Sequence, residues 1–438
     1  MIVIEETIKK EKFVIKGLAG KKTLSGSVEI SGAKNVILPM MASSILFKDG
    51  FTASNVPDIE DVKRMGELLE QIGISVKQKG RNTYSFKTKK QFNKELNKEI
   101  SKRMRASILL TGPMLSRFGE VHFPHPGGCM IGKRPIDLFV NGFKKMGAEI
   151  KDENDGYKIY TKNRKLNGAE IFFNLQSHTA TETFLMAGVL AKGKTILKNC
   201  AMEPEIKNLA DFLITHGAKI KGAGTSTIEI IGGGLLKDKK IKYVTMPDRI
   251  ETGSFLILGA LSAKKLVIEK CNPDDLEVVI NILRESGVNI ETTKNEIIVE
   301  NNNSKRIFNG VNIKTHEYPG FPTDLQAPMT IFLTQAEGES TMFETIFEGR
   351  LNYTENLVRM GAEILVWNPY KIEIKGPRKL EGKKLESPDI RAGLAFIIAS
   401  IIAKGESEID NVYYIDRGYE NIEGKLSGIG VNIKRVEV

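Results

Sequence analysis

The chain has 438 residues, 41% apolar and 27% charged, a composition typical of a globular protein and of neither a disordered nor a membrane-embedded chain. This length exceeds the size at which single hydrophobic cores usually stop growing, so two domains of roughly 200 residues are expected. Lysine and arginine exceed aspartate and glutamate by 64 to 54, but the cations are scattered and form no dense basic block with interleaved aromatics, which argues against a nucleic-acid partner.

The N-terminal segment and the longest apolar run both predict a soluble chain. Residues 1–13 lack the apolar centre of a signal peptide, and the longest apolar run, 392–403, is too short to span a bilayer. The three cysteines, Cys129, Cys200 and Cys271, have the spacing of neither a disulfide framework nor a zinc site. We therefore expect a cytoplasmic protein without a structural metal and without membrane insertion.

One motif recurs six times along the chain: Leu or Phe, three residues, Gly, two residues, then Ile or Val. Because the copies lie about seventy residues apart, they indicate an internal repeat. Each predicts an amphipathic helix that ends at the glycine in a left-handed conformation and leads into a strand. The glycines of the six copies are Gly73, Gly147, Gly217, Gly287, Gly361 and Gly430.

A second helix, apolar on nearly every side and therefore expected inside a domain, precedes each copy of the motif. A single helix-glycine-strand joint is common in α/β proteins, so the even spacing carries the prediction. The sequence thus predicts an α/β protein of six repeated β/α units, three per domain. The expected apolar helices are 33–47, 105–116, 181–191, 250–262, 324–335 and 390–403.

Basic residues stand at the starts of several of these apolar helices. Lys34, Arg105 and Arg391 occupy such positions, Arg417 lies in a turn, and Arg350 is a weaker member of the set. Helix N-termini attract anions, and cations placed there add charge and directed donors that suit phosphate or carboxylate. Each residue taken singly is better explained as a solvated surface charge, so only their recurrence favours an anion site.

The segment 123–138 contains three glycines and three prolines and is predicted to be a long loop. Within it, Cys129 follows two glycines and precedes Lys133 and Arg134, which would favour a reactive thiolate. An inert buried cysteine is the alternative. Two further acidic residues, Asp248 and Asp324, begin apolar helices, and local sequence explains both as carboxylates that stabilise a first helical turn.

Seven segments together resemble the enolpyruvyl transferase family, and within it the UDP-N-acetylglucosamine 1-carboxyvinyltransferases. The resemblance runs nearly end to end, and it implies a two-domain inverse α/β barrel. It places residues 34–246 with the Cys129 loop in one domain, and residues 1–33 with 247–438, carrying Asp324, Arg391 and Arg417, in the other. The segments are 31–35, 104–107, 126–138, 203–206, 247–253, 321–324 and 415–420.

The resemblance also implies the reaction. The enolpyruvyl group of phosphoenolpyruvate is transferred to the 3′-hydroxyl of UDP-N-acetylglucosamine by addition and then elimination of phosphate, the first committed step of peptidoglycan synthesis, and no cofactor is needed. Cys129 is implied as the proton donor and as the target of the antibiotic fosfomycin. Asp324 is implied as the group that takes the 3′-hydroxyl proton or orients that hydroxyl.

The remaining site residues are likewise implied by the resemblance alone. Phosphoenolpyruvate is expected to contact Lys34, Asn35, Arg105, Arg134, Arg391 and Arg417. The nucleotide sugar is expected to contact Arg105, Arg134, Pro135, Ile136, Asp137, Leu138, Ser177, Asp324 and Ile346.

The chain departs from the family pattern in three places that bear on acceptor binding, one of them Gly349, which stands where Asn is common. Residues 177–181 are Ser-His-Thr-Ala-Thr where many members have Ser-Val-Gly-Ala-Thr, and Phe139 stands where members often have His. Two alternatives therefore stay open: a sister transferase acting on shikimate 3-phosphate, and a UDP-sugar sensor without catalysis. The Cys129 loop and the 31–35 motif argue against the first, and intact Cys129, Asp324 and Lys34 argue against the second.

Overall fold

A computed structural model describes residues 10–125, 136–237, 239–240, 242–301 and 307–438. Contacts among the described residues divide the chain into two compact units. One, here called the C-terminal unit, contains Pro247–Val438 together with the N-terminal segment that ends at Ser31. The other, called the central unit, runs from Gly32 to Met246. In the described residues, every helix is too short or too polar to cross a membrane.

The helices follow the repeat. In chain order, the α-helices of the described residues are α1 (Lys34–Ser43), α2 (Glu60–Ile72), α3 (Lys98–Arg103), α4 (Thr111–Phe118), α5 (Asp137–Lys145), α6 (His178–Leu190), α7 (Pro204–Thr215), α8 (Arg249–Ser262), α9 (Glu277–Glu285), α10 (Gln326–Leu333), α11 (Thr354–Arg359), α12 (Ile390–Ile402), α13 (Tyr413–Asp416) and α14 (Ile422–Gly428). Short 3₁₀ turns extend several of them: Ser44–Leu46, Arg105–Leu110, Pro273–Leu276 and Thr323–Leu325.

The strands are short and numerous, and thirteen of them precede helix α8. These are β1 (Glu11–Lys16), β2 (Leu24–Glu29), β3 (Phe51–Ser54), β4 (Ile74–Gly80), β5 (Thr83–Thr88), β6 (Glu120–Pro124), β7 (Glu149–Glu153), β8 (Gly156–Tyr160), β9 (Glu170–Phe172), β10 (Lys194–Lys198), β11 (Lys219–Lys221), β12 (Thr227–Ile231) and β13 (Tyr243–Val244). The others are β14 (Ala263–Glu269), β15 (Ile290–Thr292), β16 (Glu296–Glu300), β17 (Phe308–Asn309), β18 (Ile313–Lys314), β19 (Ala336–Phe343), β20 (Glu363–Asn368), β21 (Lys371–Gly376), β22 (Lys384–Glu386), β23 (Glu406–Asp410) and β24 (Asn432–Glu437).

In the described residues, the strands form six sheets, three in each unit, and all six share one plan. The strand after the apolar helix pairs antiparallel with an inner strand, which pairs antiparallel with an outer strand that directly follows the amphipathic helix. The sheet orders in the central unit are β13-β3-β5-β4, β6-β8-β7 and β11-β12-β10-β9. Those in the C-terminal unit are β15-β16-β14-β2, β17-β19-β21-β20 and β22-β23-β1-β24.

Strands from the start of the chain, and the last strand of the central unit, join sheets whose other strands are distant in sequence. β1 takes the inner place of the sixth sheet, where Ile15 lies opposite Ser407 on β23 and Ile433 on β24. β2 pairs in parallel with β14 in the fourth sheet, and β13 pairs in parallel with β3 in the first. The predicted α/β class with six repeated units, three in each unit, is therefore confirmed.

The apolar helices lie inside the two units, as their composition predicts. In the C-terminal unit, α8, α10 and α12 pack against one another and supply much of a single hydrophobic core. In the central unit, α4 and α1 both pack against α6 within a second core. Burial of an apolar helix on all sides provides the main stabilisation of each unit, because apolar surface removed from water contributes about 25 cal/mol per Å².

All six motif glycines have positive φ, between +85° at Gly147 and +107° at Gly217. Each follows the last turn of its amphipathic helix and precedes the outer strand of its sheet. This backbone region is open to glycine without steric cost, which is why the motif requires glycine there. The predicted helix ends are thus confirmed.

Candidate active site

The carboxylate of Asp324 is held by two arginines in the C-terminal unit. Asp324 lies in the 3₁₀ turn Thr323–Leu325 that leads into α10. Arg350 Nη2 donates to Asp324 Oδ1 at 2.8 Å, while Arg391 Nε and Nη2 donate to Oδ2 at 3.0 and 2.8 Å. Charge-assisted bonds of this kind favour the ionised carboxylate. A quarter of the Asp324 side chain stays exposed, so a ligand can reach it.

Arg391 is the second residue of α12 and is buried. The side chain of Asp389 caps this helix by accepting the N–H groups of Arg391 and Ala392. The Arg391 guanidinium also donates through Nη1 to the hydroxyl of Tyr419 at 2.8 Å. Burial alone would lower the pKa of Arg391, but Asp324, Tyr419 and Asp248 outweigh it and raise that pKa further. Arg391 therefore stays a cation.

Tyr419 stays a neutral phenol. Burial raises its pKa to about 12, against the opposing effect of the Arg391 charge. A buried neutral hydroxyl can accept from Arg391 without adding charge. Arg417 lies two residues earlier, at the end of α13, where its N–H donates to the carbonyl of Tyr413 at 3.2 Å.

A second layer of hydrogen bonds holds Arg350. Its Nη1 donates to Thr323 Oγ1 at 3.1 Å, and that hydroxyl donates to Glu344 Oε2 at 2.9 Å. Glu344 is fully buried and its other oxygen accepts the N–H groups of Ile346 and Phe347, at 2.8 and 3.1 Å. Ile346, which was expected near the nucleotide sugar, is thus tied through its backbone to the same network.

Asp248 caps the start of a helix, as its local sequence predicts, whereas the side chain of Asp324 binds arginine side chains instead. Asp248 Oδ1 accepts the N–H groups of Ile250 and Glu251, at 2.8 and 3.1 Å, and so caps helix α8. The Asp324 oxygens are instead directed at guanidinium groups from two distant segments. Two carboxylates with the same local pattern therefore have different hydrogen-bond partners.

The central unit holds the remaining predicted residues that the structure describes. Lys34 is the first residue of α1, and its Nζ lies 3.4 Å from Oδ2 of Asp61, an aspartate buried at the start of α2. Asn35 follows on α1. Arg105 begins the 3₁₀ turn Arg105–Leu110 and is partly buried. Both cations therefore stand at helix starts, as predicted.

The segment that departs from the family pattern begins helix α6 in an ordinary way. Ser177 is the N-cap, and its hydroxyl oxygen accepts the N–H of Ala180 at 3.2 Å. Thr179 stands where many members have glycine, yet it lies in the first turn of α6 and is not among the residues with positive φ. The substitution therefore causes no backbone strain.

His178, at the first position of α6, is partly buried and pairs with a buried carboxylate. Its Nδ1 lies 3.2 Å from Oε2 of Glu182 one turn later, and Glu182 is almost completely buried. Burial lowers the pKa of His178, but the charges of Glu182, Glu203 and Glu205 outweigh that effect and raise it to about 10. His178 is therefore a cation at neutral pH and fixes the start of α6.

Phe139, the other departure, is a core residue. It lies on α5, is 6% exposed, and its ring packs 6.3 Å from that of Phe184 on α6. Its apolar surroundings explain the aromatic residue, since a histidine there would bury polar nitrogens. Of the neighbouring predicted residues, Ile136 caps α5 and Leu138 is partly buried, while Asp137 is exposed at the helix start.

A buried ion pair fixes the peptide at the end of the N-terminal segment. Lys425 Nζ donates to Glu251 Oε1 at 2.5 Å and to the Ser31 hydroxyl at 2.8 Å. Ser31 in turn donates its N–H to Glu251 and its hydroxyl to Glu420, at 2.9 and 2.8 Å. Three of the seven recognised segments thus meet here, and Lys425 lies in none of them.

Three predicted site residues, Cys129, Arg134 and Pro135, lie outside the described residues. Sequence reasoning missed Glu344 and gave little weight to Arg350. Glu344 directly follows strand β19, and Arg350 lies between β19 and α11. Position at the carboxyl end of a strand is the one sequence signal that could have identified Glu344, because functional residues often stand where strands end.

A cavity of about 340 Å³ in the central unit contains none of the predicted site residues. Its polar lining is dominated by cations whose charge is partly balanced by Glu120, a carboxylate whose pKa is lowered to about 2 by Lys94 first and then by His122 and Lys158. The cationic lining residues are Lys94, Lys151, Lys158, Lys162 and Arg164.

Comparison with known sequences shows similarity over almost the whole chain. The family model described as EPSP synthase (3-phosphoshikimate 1-carboxyvinyltransferase) matches residues 18–426. A protein of Koribacter versatilis named UDP-N-acetylglucosamine 1-carboxyvinyltransferase is 41% identical over 97% of this chain and 96% of its own length. A protein of the same name from Shewanella sediminis is 42% identical over 96% of this chain and 99% of its own.

Two solved structures share the fold at lower identity. The enolpyruvyl transferase NikO from Streptomyces tendae superposes with a TM-score of 0.85 at 21% identity, covering 98% of this chain and 100% of that one. EPSP synthase from Acinetobacter baumannii gives 0.73 at 19% identity, with coverage of 98% and 100%. These structures agree with the fold class expected from the six-unit repeat.

Proposed function

Because the chain belongs to the EPSP synthase family and, within it, to the UDP-N-acetylglucosamine 1-carboxyvinyltransferases, we propose that it transfers the enolpyruvyl group of phosphoenolpyruvate to the 3′-hydroxyl of UDP-N-acetylglucosamine. Phosphate is released, and the product enters peptidoglycan synthesis in the cytoplasm. The observation that carries the proposal is the 41% identity over 97% of the chain to a relative with that name.

The environment of Asp324 supports an acid–base and orienting function. Both carboxylate oxygens already accept hydrogen bonds from guanidinium groups, which lowers their basicity but fixes their direction. Oδ2 accepts two of these N–H groups and Oδ1 only one, so we assign the acceptor hydroxyl to Oδ1. In the proposal Asp324 therefore orients the 3′-hydroxyl as it attacks C2 of phosphoenolpyruvate and accepts its proton as the C–O bond forms.

The cations stabilise the negative charge of the substrate, and such electrostatic stabilisation often contributes more to catalysis than any other effect. Lys34, Arg134 and Arg417 are proposed to bind the phosphate of phosphoenolpyruvate, and Arg105 and Arg391 its carboxylate. Arg391 suits this function because three of its five N–H donors are fixed by Asp324 and Tyr419, so its plane is set before substrate arrives. Asn35 is proposed to contact the reacting centre.

Cys129 is proposed as the acid that protonates C3 of phosphoenolpyruvate. A thiol can donate a proton, and its nucleophilicity also permits a covalent adduct with the same substrate. The acceptor is proposed to contact Arg105 and Asp324. Two further groups of residues are also proposed to contact it: the first lies in and just before the start of α5 in the sequence, and the second consists of one residue before α6 and one before α11. These groups are Arg134, Pro135, Ile136, Asp137 and Leu138, and Ser177 and Ile346. Neither the chemistry nor the residue set requires a cofactor.

A phosphate-release assay with two acceptors tests the proposal. With phosphoenolpyruvate and UDP-N-acetylglucosamine, the protein is expected to release inorganic phosphate in proportion to acceptor consumed. With shikimate 3-phosphate, the acceptor of the sister enzymes named by the family model, it is expected to release none. Release with shikimate 3-phosphate alone would overturn the assignment, and binding of the nucleotide sugar without release would indicate a sensor.

A further inference from the structure

The outer strand of each repeat offers six equivalent sheet edges within one chain. Six strands lie at the end of their sheets and begin one to three residues after a motif glycine: β4, β7, β11, β15, β20 and β24. An edge strand presents unpaired backbone N–H and C=O groups, and proteins protect such edges with charged side chains or short strands. The six outer strands can therefore be compared for how each protects its exposed edge.

Five of the outer strands follow this protective pattern. Every one of them carries a charged residue at or next to its centre, and two of them have only three residues. The five sequences are Ile-Ser-Val-Lys-Gln-Lys-Gly in β4, Glu-Ile-Lys-Asp-Glu in β7, Lys-Ile-Lys in β11, Ile-Glu-Thr in β15 and Asn-Ile-Lys-Arg-Val-Glu in β24.

β20 is the exception. It reads Glu-Ile-Leu-Val-Trp-Asn, and three consecutive large apolar side chains are exposed: Leu365 by 54%, Val366 by 50% and Trp367 by 60%. β20 pairs with β21 along one side only, so its other side is an edge in the described residues. An exposed apolar edge of this kind is a template for pairing with another strand.

We propose that β20 is a self-association site, at which a second copy of this chain adds its own β20 antiparallel. A two-fold axis normal to the sheet and centred on Leu365 places Leu365 opposite Leu365 and Ile364 opposite Val366. Glu363 then lies opposite Trp367, and its charge is already paired with Arg378. Such an isologous contact buries apolar side chains and opposes no like charges.

The other five outer strands cannot pair with themselves in this way. A two-fold axis through the central residue of each strand places Lys77 opposite Lys77 in β4, Lys151 opposite Lys151 in β7 and Lys219 opposite Lys221 in β11. In β15 it opposes two copies of Glu291, and in β24 it opposes two copies of Lys434 or of Arg435. Like charges directly opposite are destabilising, so β20 is the one self-compatible edge of these six outer strands.

A β-bulge sets the length of the proposed contact. The pairing of β20 with β21 is regular from Glu363 to Val366 and shifts at Trp367. Trp367 lies on the same sheet face as Leu365, since its Nε1 donates to Glu373, the residue paired with Leu365. The interface is therefore short, and because interfaces below about 1,200 Å² are typically transient, we expect weak association in the micromolar range.

Sedimentation velocity across about 1 to 300 µM protein, with Trp fluorescence on the same samples, tests this association. Trp367 is the single tryptophan of the chain, so its emission reports this strand alone. With rising concentration we expect a monomer–dimer transition and a parallel blue shift of the emission as the indole is covered. A single monomeric species with unchanged emission throughout the range would overturn the proposal.

Two variants separate this edge from any other contact. Leu365→Lys opposes two lysines, as the protected edges do, and should raise the dimer dissociation constant by about tenfold or more. Val436→Lys makes the same change on β24, where Val436 is 39% exposed, and should leave dimerisation unchanged. Equal thermal stability of both variants establishes folding. Dimerisation that survives Leu365→Lys, or that Val436→Lys weakens equally, would contradict the proposed strand.

Discussion

At the scale of single residues, the pair of arginines around Asp324 determines what that carboxylate can do. A carboxylate free in water is a moderate base, but one that already accepts three charge-assisted bonds has its remaining acceptor directions fixed. Both guanidiniums are almost completely buried. Removing the negative charge would leave two buried cations without their counter-ion, so Asp324 contributes to stability as well as to the proposed chemistry.

Replacing Asp324 with Asn separates these two contributions. We expect kcat to fall by about 100-fold or more, because the amide cannot accept the hydroxyl proton. The KM for UDP-N-acetylglucosamine should change much less, and the free energy of unfolding should fall by about 1–3 kcal/mol. Steady-state kinetics and urea denaturation measure the two effects.

A second variant shows how much of the effect comes only from removing the carboxylate partner of an arginine. Glu423→Gln removes a carboxylate oxygen that accepts from Arg435 at 2.7 Å in the same unit. It should lower stability without lowering kcat. If Asp324→Asn reduced kcat and nucleotide-sugar affinity by the same factor, Asp324 would be a structural residue only.

The three cysteines should differ sharply in reactivity. Cys200 and Cys271 are buried, and burial raises the pKa of their thiols to about 12 and about 11. Both are therefore protonated and unreactive at neutral pH. We expect fosfomycin to add once per chain, at Cys129, and to abolish turnover, as seen by mass spectrometry of the intact protein and of its peptides. Modification of Cys200 or Cys271, or full activity at saturating drug, would contradict this.

The ion pair of His178 and Glu182 should make stability depend on pH in a defined direction. The pKa of His178 is raised from about 6.5 in an unfolded chain to about 10 in the folded one. The charged imidazole therefore stabilises the fold below pH of about 6.5, until Glu182, whose own pKa is raised by burial, takes up a proton, and the contribution is lost as the pH rises through about 10.

A double-mutant cycle measures that contribution without interference from other titrating groups. The coupling between His178→Gln and Glu182→Gln, obtained from urea unfolding, should be largest near pH 6 and should shrink steadily towards pH 10. A coupling that stays constant with pH would show that His178 is held neutral.

At the scale of the elements, the helix ends are the best predicted features, because a positive φ is a strictly local requirement. The six motif glycines differ, however, in their surroundings. A side chain at Gly73 would place its Cβ 2.3 Å from the carbonyl oxygen of Gln91, whereas at Gly217 nothing lies within 4 Å. Their φ angles are nearly equal, +104° and +107°. The two positions therefore form a matched pair.

Alanine at each position separates backbone strain from steric conflict. Gly217→Ala should lower the free energy of unfolding by about 1–2 kcal/mol through strain alone. Gly73→Ala should lower it by a further 1–3 kcal/mol, roughly, because the backbone of Gln91 must shift. Chemical denaturation measures both, and an equal loss in the two variants would show that the contact at Gly73 relaxes without cost.

The elements of the proposed active site were harder to predict from sequence. Asp248 and Asp324 both precede apolar helices, and local pattern cannot distinguish a cap from a group held by arginines. The distinction depends on Arg350 and Arg391, which are 26 and 67 residues from Asp324 along the chain. Contacts of that separation arise from tertiary packing, so the family resemblance rather than residue pattern pointed to Asp324.

At the scale of the whole molecule, the six-unit repeat was predictable because each unit carries the same local signals. The permuted strand order was not. β1 completes the sixth sheet and β2 the fourth, although both precede the first unit in the chain. Their sequences read as ordinary short strands, and nothing local indicates which sheet they join. Parallel pairings such as β2 with β14 depend on the complete fold.

The reaction itself is tested most directly by a competition between acceptors. The protein is incubated with phosphoenolpyruvate and equal concentrations of UDP-N-acetylglucosamine and shikimate 3-phosphate, and the products are identified by mass spectrometry and NMR. We predict a single product, the nucleotide sugar bearing an enolpyruvyl group on its 3′-oxygen, formed with one phosphate released per molecule. An enolpyruvyl group on shikimate 3-phosphate, or phosphate release without the sugar product, would contradict the proposed function.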